Sequence, residues 1–463
     1  MTTISSPTTL ETAQSFLREQ AARIQIDPLT NSVFALAQTL FRDLEVGNAK
    51  LSDLSKLADE VHLDLIEERA DRFRAQHAGG RAKTAWASLT EDLETLAAQG
   101  FESFKARVEQ ATGGIVFTGH PTFALSKDLR TALADHVVSA TKTSRNMLMR
   151  QIRADSRPWN QAISLKGEHD EVQGAIAHAA NAQLAYANVL ISVARKAFPD
   201  DWRSLKIFVP TLACWVGYDL DGRADIHWSQ SLTFRLTEKA VQLGRYAQQL
   251  ESISGSQKIG PLAKLTQRLK TASDDTARHA ALFAANLTDP NNLVPAANAL
   301  TEHTKRTVLD ASEIIDVLDG VIPTAEDSLA AELMAIRAQV EALQLGTARI
   351  HLRVNAAQVR TVINRDLGLQ TEDRELGRVA LAELAQKARK SKPVQVNFAD
   401  LFLEQSTARR QFMMCAQILK HIDSGSVIRF LIAESETPAP VMGALSLARQ
   451  YGVDDKLDIS PLF

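Results

Sequence analysis

Cysteine, aromatic residues and long apolar runs are all scarce in this chain of 463 residues. The two cysteines, Cys214 and Cys415, have a spacing that fits neither a disulfide framework nor a zinc site. No run approaches the roughly 20 apolar residues that span a bilayer, and the amino terminus lacks the basic start and apolar core of a signal peptide. We therefore expect two buried thiols in a cytoplasmic protein that has no membrane partner.

The chain also lacks an excess of charge of either sign. Its formal net charge is -3, and its basic residues are dispersed among acidic ones. This gives no electrostatic reason to expect a nucleic-acid partner. The 45% hydrophobic content is enough for a large core, and the length predicts two or three domains or one large one.

The first 110 residues have the spacing of amphipathic helices. One apolar stripe at helical period runs from Val33 to Leu44, and a second runs from Leu51 to Val61 after a break at Gly47. We expect both stripes to face a core. Helical spacing returns after residue 122 and predicts one long helix over residues 124–153.

Strand-like runs alternate with helical segments from residue 111 onward, and most end in a polar corner. The five runs are 115–117, 205–216, 348–354, 426–433 and 457–463. This pattern is typical of a (β/α) barrel, whose site lies at the carboxyl ends of its strands. The predicted fold class is α/β and predominantly helical, an incomplete TIM-like barrel with about five of eight strands and long surrounding helices.

The first corner is Gly119-His120-Pro121-Thr122, directly after an apolar run. Glycine allows close approach of a ligand, proline fixes the exit of the chain, and Thr122 can cap the next helix. A histidine lifted off the end of a strand is a candidate catalytic group, although a histidine satisfied within a turn is the alternative reading.

The second corner contains Asp219, Asp221 and Gly222, and a later strand carries Arg353 near its end. The two aspartates do not favour a calcium loop, because the twelfth loop position is Gln230 where such loops have a Glu. The aspartates either hold neighbouring backbone amides and arginines or contact a substrate. Arg353 is either a clamp for phosphate or carboxylate or the partner of a helix carboxylate.

The order of several segments resembles the amino-terminal half of phosphoenolpyruvate carboxylases. The segments are VFTGHPT, CWVGYDLDGRADI, ARIHLRV, VIRFLIAESETPAPVMGALSLARQYG and LDISPLF, and together they extend over most of the chain. The resemblance implies an eight-stranded barrel that converts phosphoenolpyruvate and bicarbonate to oxaloacetate and phosphate with Mg²⁺ or Mn²⁺. The resemblance also implies that residues 1–463 form one unit, with a helical region at 1–110 and a partial barrel at 111–463.

The resemblance also assigns roles to residues. It makes His120 catalytic and Arg353 substrate-binding, with Asp219, Asp221 and Gly222 as a supporting corner. This chain departs from the family at several positions, including Phe123, Tyr218, Leu220, Arg223, His351 and Val354.

The resemblance places the metal-binding carboxylates beyond Phe463, so we expect no metal ligand within this chain. We further expect residues 1–463 alone to be inactive and to self-associate, and the completed protein to be a homo-oligomer. Whether the chain is a fragment of the enzyme or a divergent, non-catalytic relative that acts as a binding or regulatory subunit stays open at the level of sequence.

Overall fold

A computed structural model describes residues 6–76, 82–119, 125–155, 163–221, 223, 226–369 and 376–463. The chain divides into two compact units. Unit 1 comprises Met1–Ala85 and Pro121–Gln161, and unit 2 comprises Trp86–His120 and Ala162–Phe463.

Helices make up most of the described chain. In chain order they are α1 Leu10–Arg23, α2 Ser32–Glu45, α3 Leu51–Gln76, α4 Ala82–Ala97, α5 Phe101–Val108, α6 Lys127–Ser139, α7 Lys142–Ala154, α8 Leu165–Ala197, α9 Trp228–Ser252, α10 Gly260–Phe283, α11 Pro290–Thr301, α12 Ser312–Val321, α13 Asp327–Leu343, α14 Ala356–Asp366, α15 Arg378–Lys390, α16 Phe398–Leu403, α17 Thr407–His421 and α18 Pro438–Gln450. None of these helices is long and apolar enough to cross a membrane, as far as the described residues extend.

Unit 2 contains a parallel sheet of five strands. The strands are β1 Gly114–Phe117, β2 Thr211–Cys214, β3 Arg349–Asn355, β4 Ile428–Ala433 and β5 Leu457–Pro461. They lie side by side in the order in which they occur in the chain. The prediction of an α/β protein with a parallel sheet is therefore confirmed.

One face of the sheet forms the main core. Ile350, Leu352 and Val354 of β3 are buried and pack with Phe430 of β4 and with residues of the surrounding helices. Because parallel crossovers are right-handed, strands that follow one another in sequence order carry their helices on the same face. The sequential order thus explains why the buried residues of β3 and Phe430 of β4 share the face that the helices cover.

The other face of the sheet is less covered, and we call it the open face. It carries Arg349, His351, Arg353 and Asn355, which alternate with the buried residues of β3. Arg429 of β4 lies beside His351 in the register, and Asp458 of β5 lies beside Arg429. Alternation of buried and accessible residues is expected for a strand with one face on the core.

The predicted helix over residues 124–153 is wrong in one respect, because the segment forms two helices. α6 ends at Ser139, and its C-cap residue Ala140 has a left-handed φ of 48°. α7 then begins with a capping box in which Thr141 and Ser144 exchange hydrogen bonds. No sequence pattern marks an alanine with a left-handed φ. The Thr-x-x-Ser spacing, in contrast, is a recognisable signal for the start of a helix.

The expected core position of the first stripe is also wrong. α2 forms, but Val33, Phe34 and Phe41 are all more than 60% exposed. Within the described part of unit 1, α2 packs mainly on α1, so its apolar stripe meets too little protein to be buried. The helical spacing of the apolar residues predicted α2 correctly, but it does not specify whether another element packs on the apolar stripe.

The second predicted strand is shorter than expected, because Pro210 cannot donate to a ladder and pairing begins only at Thr211. The expectation for the thiols is confirmed, since Cys214 and Cys415 are both free and buried.

Candidate functional site

The carboxyl ends of β2 and β3 are joined beyond the end of β2. Asp219 forms an isolated parallel bridge with Arg353. The amide of Arg353 donates to the carbonyl of Tyr218, and the amide of Leu220 donates to the carbonyl of Arg353. The second corner and the end of β3, which lie far apart in the sequence, therefore share one edge of the sheet.

Arg353 is held by both aspartates of the second corner. Its Nη2 lies 2.7 Å from Oδ2 of Asp221, and its Nη1 lies 3.6 Å from Oδ2 of Asp219. The guanidinium also stands over the ring of Trp215 at 5.5 Å. Two carboxylates and an aromatic face fix a planar cation in one orientation. The sequence left open whether Arg353 pairs with a carboxylate of a helix. Among the described contacts, its carboxylate partners come from the second corner and none comes from a helix.

Asn355 extends the same edge to β4. Its Nδ2 lies 2.7 Å from Oε2 of Glu434 and 3.3 Å from Oδ1 of Asp221. Glu434 follows β4 directly and has a φ of 57°, in the left-handed region. A non-glycine residue in this region is uncommon and tends to occur where the surrounding structure fixes it. We call Asp219, Asp221, Arg353, Asn355 and Glu434 the edge cluster.

The edge cluster is acidic. It contains one guanidinium and three carboxylates, and nearby Arg223 pairs with Glu168 at 3.2 Å. Burial raises the pKa of Asp219, while the Arg353 guanidinium and the amide of Asp221 act in the opposite direction. A multiply charged phosphate would therefore meet a net negative field at this edge unless further positive charge were present.

His120 and Gly222 lie outside the described residues. The neighbouring residue Gly119 is described, and its surroundings show what borders this edge of the sheet. A Cβ atom on Gly119 would overlap the carboxylate of Glu168, whose other oxygen pairs with Arg223. Gly119 therefore packs closely against the ion pair that flanks the second corner, and a larger residue there would displace the Glu168 side chain.

The described residues do not form a divalent metal site. Among them, no group of three or more His, Cys, Asp or Glu side chains is arranged to hold an ion. In the edge cluster, the carboxylates of Asp221 and Glu434 are already engaged by Arg353 and Asn355. Mg²⁺ or Mn²⁺ therefore does not fit the arrangement that these side chains adopt.

A second arginine lies in the interior behind the edge cluster. Arg235 on α9 is fully buried, and its Nη atoms lie 2.6 Å from Asp423 and 3.2 Å from Glu238. Its Nη1 also donates to the carbonyl of Ala348, just before β3. A Cβ atom on Gly346 would overlap the guanidinium, so this glycine leaves the space that the cation occupies. We call Arg235, Glu238 and Asp423 the buried cluster.

The buried cluster reaches the edge cluster through Tyr218. The Tyr218 hydroxyl lies 3.3 Å from Oε1 of Glu238, and the backbone carbonyl of Tyr218 accepts from Arg353. His169 on α8 lies 3.1 Å from the same Glu238 oxygen and stacks on Phe234. Burial raises the pKa of Tyr218 well above its ordinary range, so its hydroxyl stays a donor. These contacts fix the backbone that precedes Asp219.

Sequence reasoning missed Asn355, Glu168 and the buried cluster. Asn355 could have been found, since it lies two residues after Arg353 and therefore on the same face of the strand. Glu168 and Arg235 gave no signal, because their partners are distant in the sequence. Charged residues within helical patterns are usually solvent-exposed.

Comparison with known proteins adds no further identification. No model of a known protein family matches this chain, and no curated protein matches it at a significant level.

Proposed function

We propose that this chain is the amino-terminal portion of a phosphoenolpyruvate carboxylase, and that its five strands belong to a (β/α) barrel. The observation that carries the proposal is the edge cluster. Residues that the resemblance assigns to one site, Asp219, Asp221 and Arg353, lie together at the carboxyl ends of adjacent parallel strands. Barrel enzymes build their sites at this end of the strands.

The barrel is supported by the order of the strands. Doubly wound sheets reverse their strand order and place helices on both faces, whereas a barrel keeps sequence order and leaves one face inside. The sheet follows sequence order, and its open face carries half-buried side chains such as His351. Three further strands would enclose this face and remove both free edges.

In the proposed reaction, an oxygen of bicarbonate attacks the phosphorus of phosphoenolpyruvate, and the bond from phosphorus to the enol oxygen breaks. The products are carboxyphosphate and the enolate of pyruvate. Carboxyphosphate then releases CO₂ and phosphate, and the enolate carbon attacks CO₂ to give oxaloacetate. The resemblance implies Mg²⁺ or Mn²⁺, and the described side chains of the edge cluster do not fit either ion.

This chain contributes positioning and charge to that sequence. Arg353, oriented by Asp219 and Asp221, would donate to phosphate oxygens. His120 would stabilise or deprotonate carboxyphosphate. Because the edge cluster has three carboxylates and one guanidinium, its described residues lack the positive charge that the phosphoenolpyruvate trianion requires. We therefore propose that catalysis needs cationic groups from the remaining part of the barrel.

The test is a coupled assay for oxaloacetate with phosphoenolpyruvate, bicarbonate and Mg²⁺. We expect no product from the chain alone, and product after addition of a carboxyl-terminal portion of a phosphoenolpyruvate carboxylase as a separate chain. His120→Asn in the combined sample should lower the rate by about 10²–10⁴-fold, the usual contribution of an acid-base group. Near-normal rates in that variant would contradict the role of His120.

The second candidate is a non-catalytic, divergent family relative that acts as a binding or regulatory subunit, and the departures from the family at the second corner and beside Arg353 favour it. In addition, the guanidinium of Arg353 is already paired with Asp219 and Asp221, which disfavours a role in holding a reacting phosphate. Calorimetry with phosphoenolpyruvate and Mn²⁺ distinguishes the two functions. Binding that is never followed by oxaloacetate formation, even in the combined sample, would favour the subunit and exclude the enzyme.

A further inference from the structure

A recess of about 640 Å³ lies among the helices of unit 2, between the start of α8, the first turns of α9 and the segment that joins α10 to α11. None of its described lining residues belongs to a strand. It is therefore separate from the open face that further strands would enclose. Its volume falls within the range of about 300–1,000 Å³ that is typical of small-molecule sites.

The floor of the recess is apolar and connects two separate parts of the core. Phe283 and Leu287 are buried members of the main core, whereas Phe234 is buried in a small cluster with Leu165 and Ile226. Phe234, Phe283 and Leu287 all line the recess, so it lies at the gap between the two clusters. Apolar surface at the bottom of a cleft favours an apolar ring, because contact removes both surfaces from water.

The rim of the recess offers hydrogen-bonding groups that the fold leaves free. Oδ1 of Asn286 accepts from the amide and the hydroxyl of Thr288, but Nδ2 of Asn286 has no partner among the described contacts. Oε1 of Gln230 accepts from the amide of His227, and its Nε2 is likewise free within the described residues. The hydroxyl of Thr233 donates to its own helix and keeps its lone pairs for an incoming donor.

The charges at the rim cancel. Lys166 and Asp170, which line the recess, lie 2.5 Å apart and pair with each other. Burial, and to a lesser degree the nearby Arg410, lowers the pKa of His227, so this ring is neutral at pH 7. An ionised ligand would lose its hydration here without gaining a charged partner. The recess therefore favours an uncharged molecule over an anion such as phosphoenolpyruvate.

The floor of the recess also supports the second corner. A Cβ atom on Gly217 would overlap the ring of Phe234, so the two residues are in close contact. His169, which lines the recess and stacks on Phe234, shares Glu238 with the hydroxyl of Tyr218. A molecule packed on these two rings would therefore act on the backbone that precedes the edge cluster.

We propose that this recess binds an uncharged molecule with an apolar ring and hydrogen-bonding groups along one edge, and that binding steadies the backbone at Gly217 and Tyr218. The ring would lie on Phe234, Phe283 and Leu287, and the polar edge would face the rim. The site would serve a carboxylase and a non-catalytic relative alike. It does not depend on the phosphate chemistry proposed above, and its test uses no substrate.

The test is saturation-transfer NMR of the purified chain with adenosine and benzamide as probes. We expect both to bind, with dissociation constants on the order of 1 mM, as is usual for small ligands. Benzoate has nearly the shape of benzamide but is ionised, and it should bind at least about tenfold more weakly. No binding of either probe, or equal binding of benzoate and benzamide, would overturn the proposal.

Two variants locate the site by filling the recess from different walls. Thr233→Trp fills it from α9, and Ala285→Trp fills it from the segment after α10. Each should weaken adenosine binding at least about tenfold. Thr271→Trp is the matched control, because the Thr271 hydroxyl also donates to the carbonyl four residues earlier and Thr271 does not line the recess. Unchanged binding in both filled variants would place the probe elsewhere and overturn the assignment.

Hydrogen exchange, followed by mass spectrometry, tests the effect on the second corner. The amides of Leu220 and Arg353 donate to carbonyls across the join between the second corner and β3. We expect their segments to exchange at least about threefold more slowly with saturating adenosine, while the segment containing Ile428 is unchanged. Equal exchange with and without adenosine at Leu220 and Arg353 would overturn the link to the corner. All these outcomes are independent of the oxaloacetate assay.

Discussion

The buried cluster and the edge cluster use the same pairing in two different environments. In each, one arginine is held by two carboxylates. Arg235 is fully buried and its side chain also binds the backbone of Ala348, whereas the side chain of Arg353 is 27% exposed at the rim of the sheet. The difference teaches that pairing alone does not indicate function. Access for a ligand separates an arginine that supports the fold from one that could act on a substrate.

The largest expected effect is on the buried cluster. Arg235→Met leaves Glu238 and Asp423 without their cation, and Oδ1 of Asp423 already has no hydrogen-bond partner among the described residues. Removing one partner of a buried pair typically costs about 3–5 kcal/mol. We expect the free energy of unfolding, measured by urea denaturation, to fall by that amount. A loss below about 1 kcal/mol would mean that Arg235 and Arg353 do not differ in the way described.

The second prediction concerns the charge of the edge cluster. Asp221→Asn removes the closer carboxylate partner of Arg353 and reduces the negative charge. We expect the affinity for phosphoenolpyruvate, measured by calorimetry, to rise about tenfold, which corresponds to about 1.4 kcal/mol. Asp458→Asn, which removes a carboxylate at the opposite end of the open face, is the control. Equal gains in the two variants would show that overall charge, and not the partner of Arg353, controls binding.

The third prediction is a small effect on stability at the edge. Arg353→Gln breaks two partly exposed ion pairs, and such pairs contribute about 0–1 kcal/mol each. We expect the urea midpoint to change little. The affinity for phosphoenolpyruvate that Asp221→Asn gains should be lost when Asp221→Asn and Arg353→Gln are combined. Destabilisation as large as that of Arg235→Met would make Arg353 a structural residue.

The smallest effect is a dependence of stability on pH that comes from His351, two residues before Arg353. Its pKa is lowered to about 4 in the fold, mainly by burial, whereas an unfolded histidine titrates near 6.5. Between these values the unfolded chain binds more protons, so stability is full above about pH 6.5 and decreases as the pH falls toward 4. His351→Gln should flatten this decrease.

Part of the decrease should remain in the variant, because the pKa of His421 is lowered to about 4 in the same direction, mainly by burial. The measurement is the urea midpoint from pH 7 to pH 4 for both proteins. If the urea midpoint depends on pH in the same way in the wild type and in His351→Gln, His351 is accessible to protons in the folded chain.

Local patterns in the sequence account for much of the sheet. β-branched runs predicted all five strands, and the corners after them predicted which residues meet at the carboxyl ends of β2 and β3. The end of α6 could not be predicted, because an alanine at φ 48° is set by its surroundings. The apolar stripe of α2 shows a second limit. The spacing of apolar residues predicts an amphipathic helix whether or not another element covers its apolar side.

The buried cluster shows why the rest could not be predicted. Arg235 and Asp423 are 188 residues apart, and each lies in a segment that has other polar residues. Only the packing of α9 against α17, which ends two residues before Asp423, brings them together. The same holds for Glu168, whose contact with Arg223 depends on where α8 begins. Contacts of this kind are consequences of the fold and not of local spacing.

The sequential order of the strands also has a consequence for how the chain folds. Each strand pairs with its neighbours in the sequence, but the connections differ greatly in length. A single helix, α18, joins Ala433 to Leu457, whereas several helices separate Cys214 from Arg349. Because the entropy cost of closing a loop rises with its length, β4 and β5 should pair before β2 and β3 do. The rim that holds Arg353 and Asp219 would then be among the last parts of unit 2 to become protected in pulsed hydrogen exchange, after the strands beside it.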